Sequence, residues 1–337
     1  MKKILVTGGL GFIGSHTVVE LQNKGFEVVI IDNLSNTTID VLGQITEITG
    51  TKPDFHQIDL RIKNDVKDFF KNNHVDGIIH FAAYKAVGES MGEPLEYYEN
   101  NFNSLIYLLQ EIRDRKLDNF IFSSSCTVYG QADELPITEE APVKAAESVY
   151  GNTKQVGEEI IKDTSKAHNI NAIALRYFNP IGGHPSIKIG ELPRGVPQNL
   201  IPFITQTAAG IREELSVFGN DYPTKDGTAV RDYIDVVDLA RAHIAALRRL
   251  IDKKNKKSFE YFNVGSGNGS SVLEIINTFE KVNNIKLNYK IVGRREGDVV
   301  VAFADTAIAN KELNWKTEIS LEKTLETAWK WQLKQTV

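Results

Sequence analysis

At residues 6–14 the chain reads Val-Thr-Gly-Gly-Leu-Gly-Phe-Ile-Gly, and this stretch decides the fold. The apolar run before it predicts a buried strand, and the apolar residues after it recur at helical spacing. Glycines at positions 8, 11 and 14 allow a tight turn and the close approach of a phosphate, which the first N–H groups of the helix would bind. A second apolar strand at 28–31 ends at Asp32, where an acid that binds a ribose is expected. The glycine spacing alone also fits an ordinary turn, but with the strands and the acid it predicts a dinucleotide-binding unit.

Strand and helix patterns alternate after this unit. Strands are predicted at 54–58, 75–80 and 120–122, and a helix at 97–113. This alternation predicts an α/β fold, a doubly wound parallel sheet of the Rossmann type.

The local composition of the chain changes at Pro180. Glycine and proline are frequent from there to Pro202, which indicates loops that cover a substrate. A strand pattern at 259–264 is assigned back to the first sheet, and a glycine-rich turn follows it, with Ser270 or Ser271 as helix cap. We therefore expect one domain of residues 1–179 plus 236–264, which binds the dinucleotide, and a smaller α/β lobe of residues 180–235 plus 265–337, which binds the substrate.

The composition excludes several classes of protein. The chain has 337 residues, a hydrophobic fraction of 42% and a net charge of −5, so a general attraction to nucleic acid is not implied. The single cysteine excludes an intramolecular disulfide and fits a reducing compartment. The seven histidines are scattered without the spacing of metal ligands, so no metal site is expected. The first apolar run is too short for a signal peptide or a membrane span, and we expect a cytoplasmic protein.

The candidate catalytic residues are Tyr150, Lys154 and Ser125. Tyr150 and Lys154 are four residues apart at the start of an apolar helical pattern, so they share one face of that helix. A free tyrosine has a pKa of about 10, and the Lys154 ammonium and an oxidised nicotinamide would both lower it. The phenolate could then take a proton from a substrate alcohol while a hydride leaves for the cofactor. Ser125 ends a predicted strand and is placed to hydrogen-bond the same substrate oxygen.

A set of longer motifs carries a family resemblance. They are Thr-Gly-Gly-Leu-Gly-Phe-Ile-Gly-Ser-His at 7–16, Asp-Asn-Leu-Ser-Asn at 32–36, the segments 80–90 and 94–98, Phe-Ser-Ser-Ser-Cys-Thr-Val-Tyr-Gly at 122–130, Tyr-Gly-Asn-Thr-Lys at 150–154, and the segments 175–180, 218–224, 227–233 and 294–298. Over almost the whole chain they resemble the extended short-chain dehydrogenases/reductases, and among these the UDP-glucose 4-epimerases. The resemblance implies an NAD-dependent isomerase that interconverts UDP-glucose and UDP-galactose through a 4-keto intermediate, as a homodimer.

The resemblance also implies a role for each matching residue. Tyr150 would be the base and acid, Lys154 its modulator, and Ser125 its hydroxyl partner. The NAD-binding residues would be Gly8, Gly11, Phe12, Ile13, Gly14, Asp32, Asn33, Asn36, Asp59, Leu60, Phe81, Ala82, Ala83, Lys85, Asn100, Tyr150, Lys154 and Phe178. The substrate-binding residues would be Lys85, Ser125, Tyr150, Asn179, Asn199, Leu200, Phe218, Arg231, Arg295, Asp298 and Ala302. Lys85 could contact either the nicotinamide ribose or the diphosphate, and from the sequence Arg231 and Arg295 could equally form structural ion pairs.

Other activities of the same fold stay open as alternatives. Related sugar 4,6-dehydratases carry an Asp-Glu pair before the Val-Tyr-Gly motif, and uronate decarboxylases usually carry a glutamate there, whereas this chain has Cys126 and Thr127. Another NAD-dependent enzyme that modifies nucleotide sugars is therefore the weaker interpretation. A non-catalytic protein that senses NAD would typically lack the tyrosine or the lysine, and both are present here.

Two further expectations concern substrate breadth and assembly. Alignment of the motif at 295–298 places Ala302 where glucose-restricted relatives carry a tyrosine, which would leave room for an N-acetyl group on the sugar. A shift of one residue would instead place Phe303 there and reverse the conclusion. The helices predicted near 97–113 and 150–168 have apolar faces. The family resemblance implies that they pair with their copies in a homodimer, although the sequence also allows both faces to be covered within the monomer.

Overall fold

The centre of the molecule is a seven-stranded sheet in which every pair of neighbouring strands is parallel. The structure is a computed structural model, and it describes residues 1–295 and 299–336. The strands are β1 (Lys3–Thr7), β2 (Glu27–Asp32), β3 (Asp54–Gln57), β4 (Gly77–His80), β5 (Phe120–Ser125), β6 (Ala172–Tyr177) and β10 (Phe259–Val264). Their order, β10-β6-β5-β4-β1-β2-β3, confirms the predicted doubly wound sheet, and β10 returns to it as expected.

Helices cover both faces of this sheet. They are α1 (Phe12–Asn23), α2 (Asp40–Thr49), α3 (Lys63–Asn72), α4 (Val87–Gly92), α5 (Pro94–Arg115), α6 (Val149–His168) and α8 (Val236–Ile251). The strands are apolar on both faces because each face is buried. One face packs with α1 and α8 around residues such as Leu21 and Leu247, and the other packs with α3, α5 and α6 around Phe70, Leu108 and Ile161.

The smaller lobe holds two short sheets and four helices. Its strands are β7 (Asn179–Ile181), β8 (Leu215–Phe218), β9 (Val230–Asp235), β11 (Gly269–Ser271), β12 (Tyr289–Val292) and β13 (Val301–Ala302). Its helices are α7 (Leu200–Ala208), α9 (Val272–Asn283), α10 (Ala307–Glu312) and α11 (Leu321–Thr336). Strand β9 is the hub of the larger sheet, since β7, β11 and β13 all pair with it. Around Ile276, Phe279 and Leu325 the lobe has its own apolar core.

Two local predictions can be compared with the structure. Ser271, rather than Ser270, caps α9, and it forms a capping box with Glu274. His80 and His243 are packed residues, as expected, with 3% and 0% of their surface exposed.

Within residues 1–295 and 299–336, no helix combines the length and the apolar character needed to cross a membrane.

Candidate active site

The glycine-rich turn is built so tightly that side chains cannot replace its glycines. A Cβ on Gly14 would lie 2.1 Å from the carbonyl oxygen of Gly8. Gly8 has a φ of +67°, and a Cβ there would lie 2.9 Å from the amide nitrogen of Ala82. Gly11 precedes α1 without a side-chain cap, and the first turn of the helix holds no acidic residue. The first turn of α1 therefore carries no acidic side chain that would compete with a bound phosphate.

Asp32 lies at the carboxyl end of β2 and joins this turn to the next loop. Its carboxylate accepts hydrogen bonds from the amide groups of Leu10 (3.1 Å) and Leu34 (2.9 Å). Burial raises the pKa of Asp32, and these two hydrogen bonds oppose the rise. Each oxygen keeps a free lone pair, so the carboxylate can also accept from the hydroxyls of a ribose.

A polar cleft opens beside Asp32, at the ends of β2 and β3. It has a volume of about 480 Å³ and is lined by Asn33, Ser35, Gln57, Asp59 and Arg61. Asp59 makes a paired contact with the Arg61 guanidinium, at 2.7 Å for its shortest hydrogen bond, and this holds the pKa of Asp59 below its usual range. Asn36 is exposed on the loop that follows, and Leu60 is buried. Of the residues predicted for the adenosine end, Asn33 and Asp59 therefore line this cleft.

The loop after β4 forms the opposite wall of the dinucleotide cradle. Residues 81–83 are half-buried and follow β4 directly. Asn101, which sequence reasoning missed, fixes this loop: its amide exchanges hydrogen bonds with the backbone of Tyr84 (2.8 and 3.1 Å) and donates to Thr153 on α6 (3.0 Å). The neighbouring Asn100 is buried and donates to Asn101. A polar residue inside an apolar helix pattern was the signal that could have identified Asn101.

Tyr150 and Ser125 meet above the end of β5. Both are buried, and a hydrogen bond from Ser125 favours the phenolate of Tyr150. Burial nevertheless raises the pKa of Tyr150, and the neighbouring Tyr177 raises it further. Among the groups of the protein itself, the cost of burying a phenolate therefore outweighs the favourable contact with Ser125. The lowering expected from the Lys154 ammonium together with an oxidised nicotinamide stays a prediction.

Lys154 lies beneath Tyr150 and is also buried, with 4% of its surface exposed. Its ammonium donates a hydrogen bond of 2.7 Å to the carbonyl oxygen of Ser123 and lies 5.7 Å from the centre of the Tyr150 ring. Burial lowers the pKa of Lys154 to about 7, while the negative charge of Glu158 opposes this. Burial therefore weakens the hold of Lys154 on its proton.

A buried network supports the catalytic helix from below. Glu158, one turn after Lys154, makes a paired contact with Arg176 and accepts from Ser124 at 2.5 Å. Arg176 also donates to the hydroxyl of Tyr129. Because each of these groups has partners, the network can hold α6 in one position relative to the sheet.

Residues from the small lobe reach the site through Glu191. Its carboxylate accepts a hydrogen bond from Asn199 (2.8 Å) and lies 3.6 Å from the Lys85 ammonium. Two predicted site residues that are far apart in the sequence are thus brought together by an acid that sequence reasoning did not find. Trp331 holds the backbone of Glu191 with a hydrogen bond of 2.9 Å from its indole to the Glu191 carbonyl oxygen.

Arg231 and Ala302 lie side by side on β9 and β13. Arg231 donates to the carbonyl oxygen of Val230, and its charge lowers the pKa of Cys126, although burial raises that pKa to about 12. Ala302 and Cys126 both pack against the apolar cluster that includes Val128, whereas a Cβ on Gly269 would meet the ring of Phe303 at 3.4 Å. Ala302 and Phe303 thus face different surroundings.

The remaining predicted site residues differ in their exposure. Phe178 is buried, Leu200 is half-buried, and Asn179 and Arg295 are exposed. Phe218 ends β8 with 45% of its surface exposed. Asp298 lies outside the described residues. Within the described chain, no group of three or more His, Cys, Asp or Glu side chains could hold a metal ion.

Comparison with known proteins gives a consistent result. A family model described as GDP-mannose 4,6 dehydratase matches residues 5–328. The UDP-glucose 4-epimerase of Bacillus subtilis (strain 168) is 48% identical over 330 residues, which cover 98% of this chain and 96% of that protein. The structure of UDP-glucose 4-epimerase from Stenotrophomonas maltophila, with bound NAD and formylated UDP-arabinopyranose, superposes with a TM-score of 0.96 at 45% identity and covers 99% of both chains. The enzyme of Bifidobacterium longum, in complex with NAD+ and UDP, gives a TM-score of 0.93 at 43% identity over 98% of both chains.

Proposed function

This chain belongs to the family of UDP-glucose 4-epimerases, and we propose that the cleft at the carboxyl edge of its main sheet is where it interconverts UDP-glucose and UDP-galactose. The chain is an NAD-dependent isomerase. One observation carries the assignment of the site: Ser125, Tyr150 and Lys154 are buried together beside the glycine-rich turn. The turn, Asp32 and the polar cleft next to it fit a dinucleotide, because they offer an anion site, then a ribose acceptor and then a polar recess for the base.

Tyr150 is proposed to move the proton of the sugar C4 hydroxyl. When bound, NAD accepts the hydride from C4 and, after the 4-keto sugar turns over, supplies it to the opposite face. Because its pKa is raised, Tyr150 holds a proton at neutral pH, which is the form that protonates the oxygen of the keto sugar. For the forward transfer the phenol must become more acidic, and the groups of this chain that favour phenolate are the Ser125 hydroxyl and the Lys154 ammonium.

The UDP group is proposed to bind along the small lobe. Arginine forms paired hydrogen bonds with phosphate oxygens, so Arg231 and Arg295 suit the diphosphate, with Lys85 facing them from the loop after β4. The proposal also includes Asn179, Asn199, Leu200, Phe218 and Asp298 for the nucleoside and sugar. The proximity of Arg231 to Cys126, the residue after Ser125, supports a diphosphate that ends next to the catalytic hydroxyls.

The family description of a dehydratase does not fit the residues beside Ser125. Elimination of water needs an acid and a base at the sugar, and the corresponding positions hold Cys126 and Thr127. The pKa of Cys126 is raised to about 12, so it is neutral in the physiological range. A non-catalytic role in sensing NAD is disfavoured because the complete Ser-Tyr-Lys set is present and buried.

We propose that N-acetylated UDP-sugars are also substrates. Ala302 is half-buried, is paired with Arg231 and packs against the same apolar cluster as Cys126, and its methyl side chain leaves the space that a tyrosine would fill. Turnover of UDP-N-acetylgalactosamine by the wild type and by Ala302→Tyr tests this. The tyrosine variant should lose activity on the acetylated sugar and keep it on UDP-galactose; equal losses on both sugars would contradict the role of Ala302.

Four further proposals complete the description. NAD is preferred to NADP because the Asp32 carboxylate would repel a 2′-phosphate. The division into a domain of residues 1–179 plus 236–264 and a lobe of residues 180–235 plus 265–337 is supported by the membership of the strands in separate sheets. A homodimer through α5 and α6 is supported by the half-buried Phe102 and Tyr98, stacked 5.4 Å apart on α5. A cytoplasmic location is supported by the lone cysteine, which is unpaired.

The decisive experiment for the main activity uses a single tube. Purified protein is incubated with UDP-galactose without added NAD, and UDP-glucose is measured over time. Formation of UDP-glucose, with no net NADH, supports the proposed reaction at this site. Accumulation of NADH together with a released keto sugar would instead indicate a dehydrogenase.

A further inference from the structure

The small lobe contacts the dinucleotide cradle through a segment that no motif identified. Residues 184–194 run from β7 towards α7 and meet the first domain at several points. The His184 ring lies 6.1 Å from that of His16 on α1, Lys188 pairs with Glu47 on α2, and Glu191 reaches Lys85. These contacts lie on elements that border the cradle.

Arg194 makes the most specific of these contacts. Its guanidinium donates to the carbonyl oxygen of Ser35 at 2.8 Å and to that of Thr37 at 2.5 Å. Ser35 and Thr37 are the two neighbours of Asn36, so one planar group holds the backbone on both sides of this residue. The fixed spacing of the guanidinium N–H groups suits two carbonyl oxygens at once, which a single ammonium cannot reproduce.

The loop that Arg194 holds is the one that would surround the adenosine ribose. It begins at Asp32 and passes through Leu34, whose φ is +60°, a conformation that side chains other than glycine rarely adopt. Within the first domain, Thr37 ties the far end of the loop to the glycine-rich turn through a hydrogen bond of 2.7 Å to the carbonyl oxygen of Leu10. The middle of the loop, at 35–36, is exposed and has no such contact to the turn in the described structure.

We propose that Arg194 is a positioning residue for the cofactor: it keeps the loop at Asn36 closed over the adenosine ribose and so slows the release of NAD. This inference rests on the proposed NAD site. A 4-epimerase must return the same hydride to the sugar, so a cofactor that leaves during the 4-keto stage ends the reaction. Arg194 acts through the backbone of the loop and contacts no reacting group.

The test measures cofactor release. Wild type, Arg194→Gln, Arg194→Lys and Arg212→Gln are saturated with NAD, desalted and diluted, and the released NAD is assayed over time. Arg212 is a matched control, because its hydrogen bond to Gln206 (2.8 Å) stays within the small lobe. We expect Arg194→Gln to release NAD about tenfold faster, the factor that about 1.4 kcal/mol corresponds to. Arg194→Lys should be intermediate, and Arg212→Gln should match the wild type.

Two readouts separate this role from a general structural one. Saturating NAD in the assay should restore the turnover that Arg194→Gln loses, and the urea midpoint of the NAD-free variant should equal that of the wild type. Unchanged release of NAD, or a loss of turnover that added NAD does not restore, would overturn the role of Arg194. A wild-type protein that retains no NAD and converts no UDP-galactose would refute the proposed function itself, and the inference with it.

Discussion

Replacing Lys154 by methionine should abolish turnover and yet stabilise the fold. Methionine has nearly the length of the lysine stem and no charge, so it can occupy the same apolar space against Phe122, whose ring centre lies 4.9 Å from the ammonium. The lysine is kept although its charge is buried, with 4% of its surface exposed. When a residue serves the reaction at the expense of stability, its replacement should lower activity and raise the free energy of unfolding.

The size of the effect follows from the pKa of Lys154. Burial lowers it from 10.5 to about 7, and at about 1.36 kcal/mol per pH unit the charged form costs the fold about 5 kcal/mol. The methionine variant loses the hydrogen bond of 2.7 Å to the Ser123 carbonyl oxygen, which costs about 1–3 kcal/mol. The net gain in the free energy of unfolding should therefore be about 2–4 kcal/mol at pH 6.

The gain should depend on pH with a definite sign. Below pH 7 Lys154 is protonated in both the folded and the unfolded state, so the wild type bears the full cost of burial. Between pH 7 and 10.5 the unfolded chain binds the proton more tightly, and the stability of the wild type rises with pH. The advantage of Lys154→Met should therefore shrink across this window and reverse towards pH 10, where only the lost hydrogen bond remains.

Urea unfolding of NAD-free protein at pH 6, 8 and 10 measures this, since bound cofactor would add its own stabilisation. Lys162→Met, an exposed lysine on the same helix, serves as control and should stay within about 0.5 kcal/mol of the wild type at every pH. A Lys154→Met variant that is less stable than the wild type at pH 6 would refute the reasoning. So would an advantage that stays constant from pH 6 to pH 10, because the effect would then not come from the charge.

Three other outcomes are expected. Tyr150→Phe should lower turnover by at least about a hundredfold and still bind UDP, since the phenol carries a proton and does not anchor the nucleotide; near-normal turnover would remove it from the mechanism. Gly14→Ala should reduce the NAD content of the purified protein, because the new Cβ would lie 2.1 Å from a backbone oxygen. Gly43→Ala on α2, where a Cβ would meet no atom within 4 Å, should leave the NAD content unchanged. Equal NAD contents in the two variants would show that the turn can adjust. Glu158→Gln should destabilise the fold by about 3–5 kcal/mol in urea unfolding by leaving the Arg176 charge unpaired, and a loss below about 1 kcal/mol would contradict a tightly coupled network.

Features carried by local periodicity were predictable from the sequence. The apolar run at 4–6 lies in β1, the glycines from Gly8 to Gly14 form the turn and the start of α1, and Tyr150 and Lys154 lie on one face of α6. These patterns depend on residues a few positions apart, whose geometry the helix and strand periods determine. The prediction that 259–264 returns to the first sheet is confirmed, since β10 pairs with β6. A strand with this many apolar residues needs a buried neighbour, and β6 provides it.

Contacts between the lobes could not be predicted in the same way. Arg194 meets Ser35 across 159 positions of sequence, and Glu191 meets Lys85 from a loop with no periodic pattern. The direction in which the pKa of Tyr150 is shifted could not be predicted from the sequence either, because it depends on how much water the packed lobes exclude. Sequence neighbours reveal the charges near a phenol, but only the assembled structure reveals the burial that opposes them.

The two walls of the site differ in a way that suits epimerisation. Ser125, Tyr150 and Lys154 are buried on the main sheet and its helix, so Tyr150, the proposed proton carrier, would keep a fixed position. The candidate sugar contacts Asn179 and Asn199, by contrast, are exposed on the small lobe. A sugar that must present both faces of C4 to one hydride acceptor needs firm contacts at the diphosphate and weak contacts around the ring. The buried residues of the main sheet and the exposed, polar residues of the small lobe together meet both needs, because the sugar can turn without moving the proposed proton carrier.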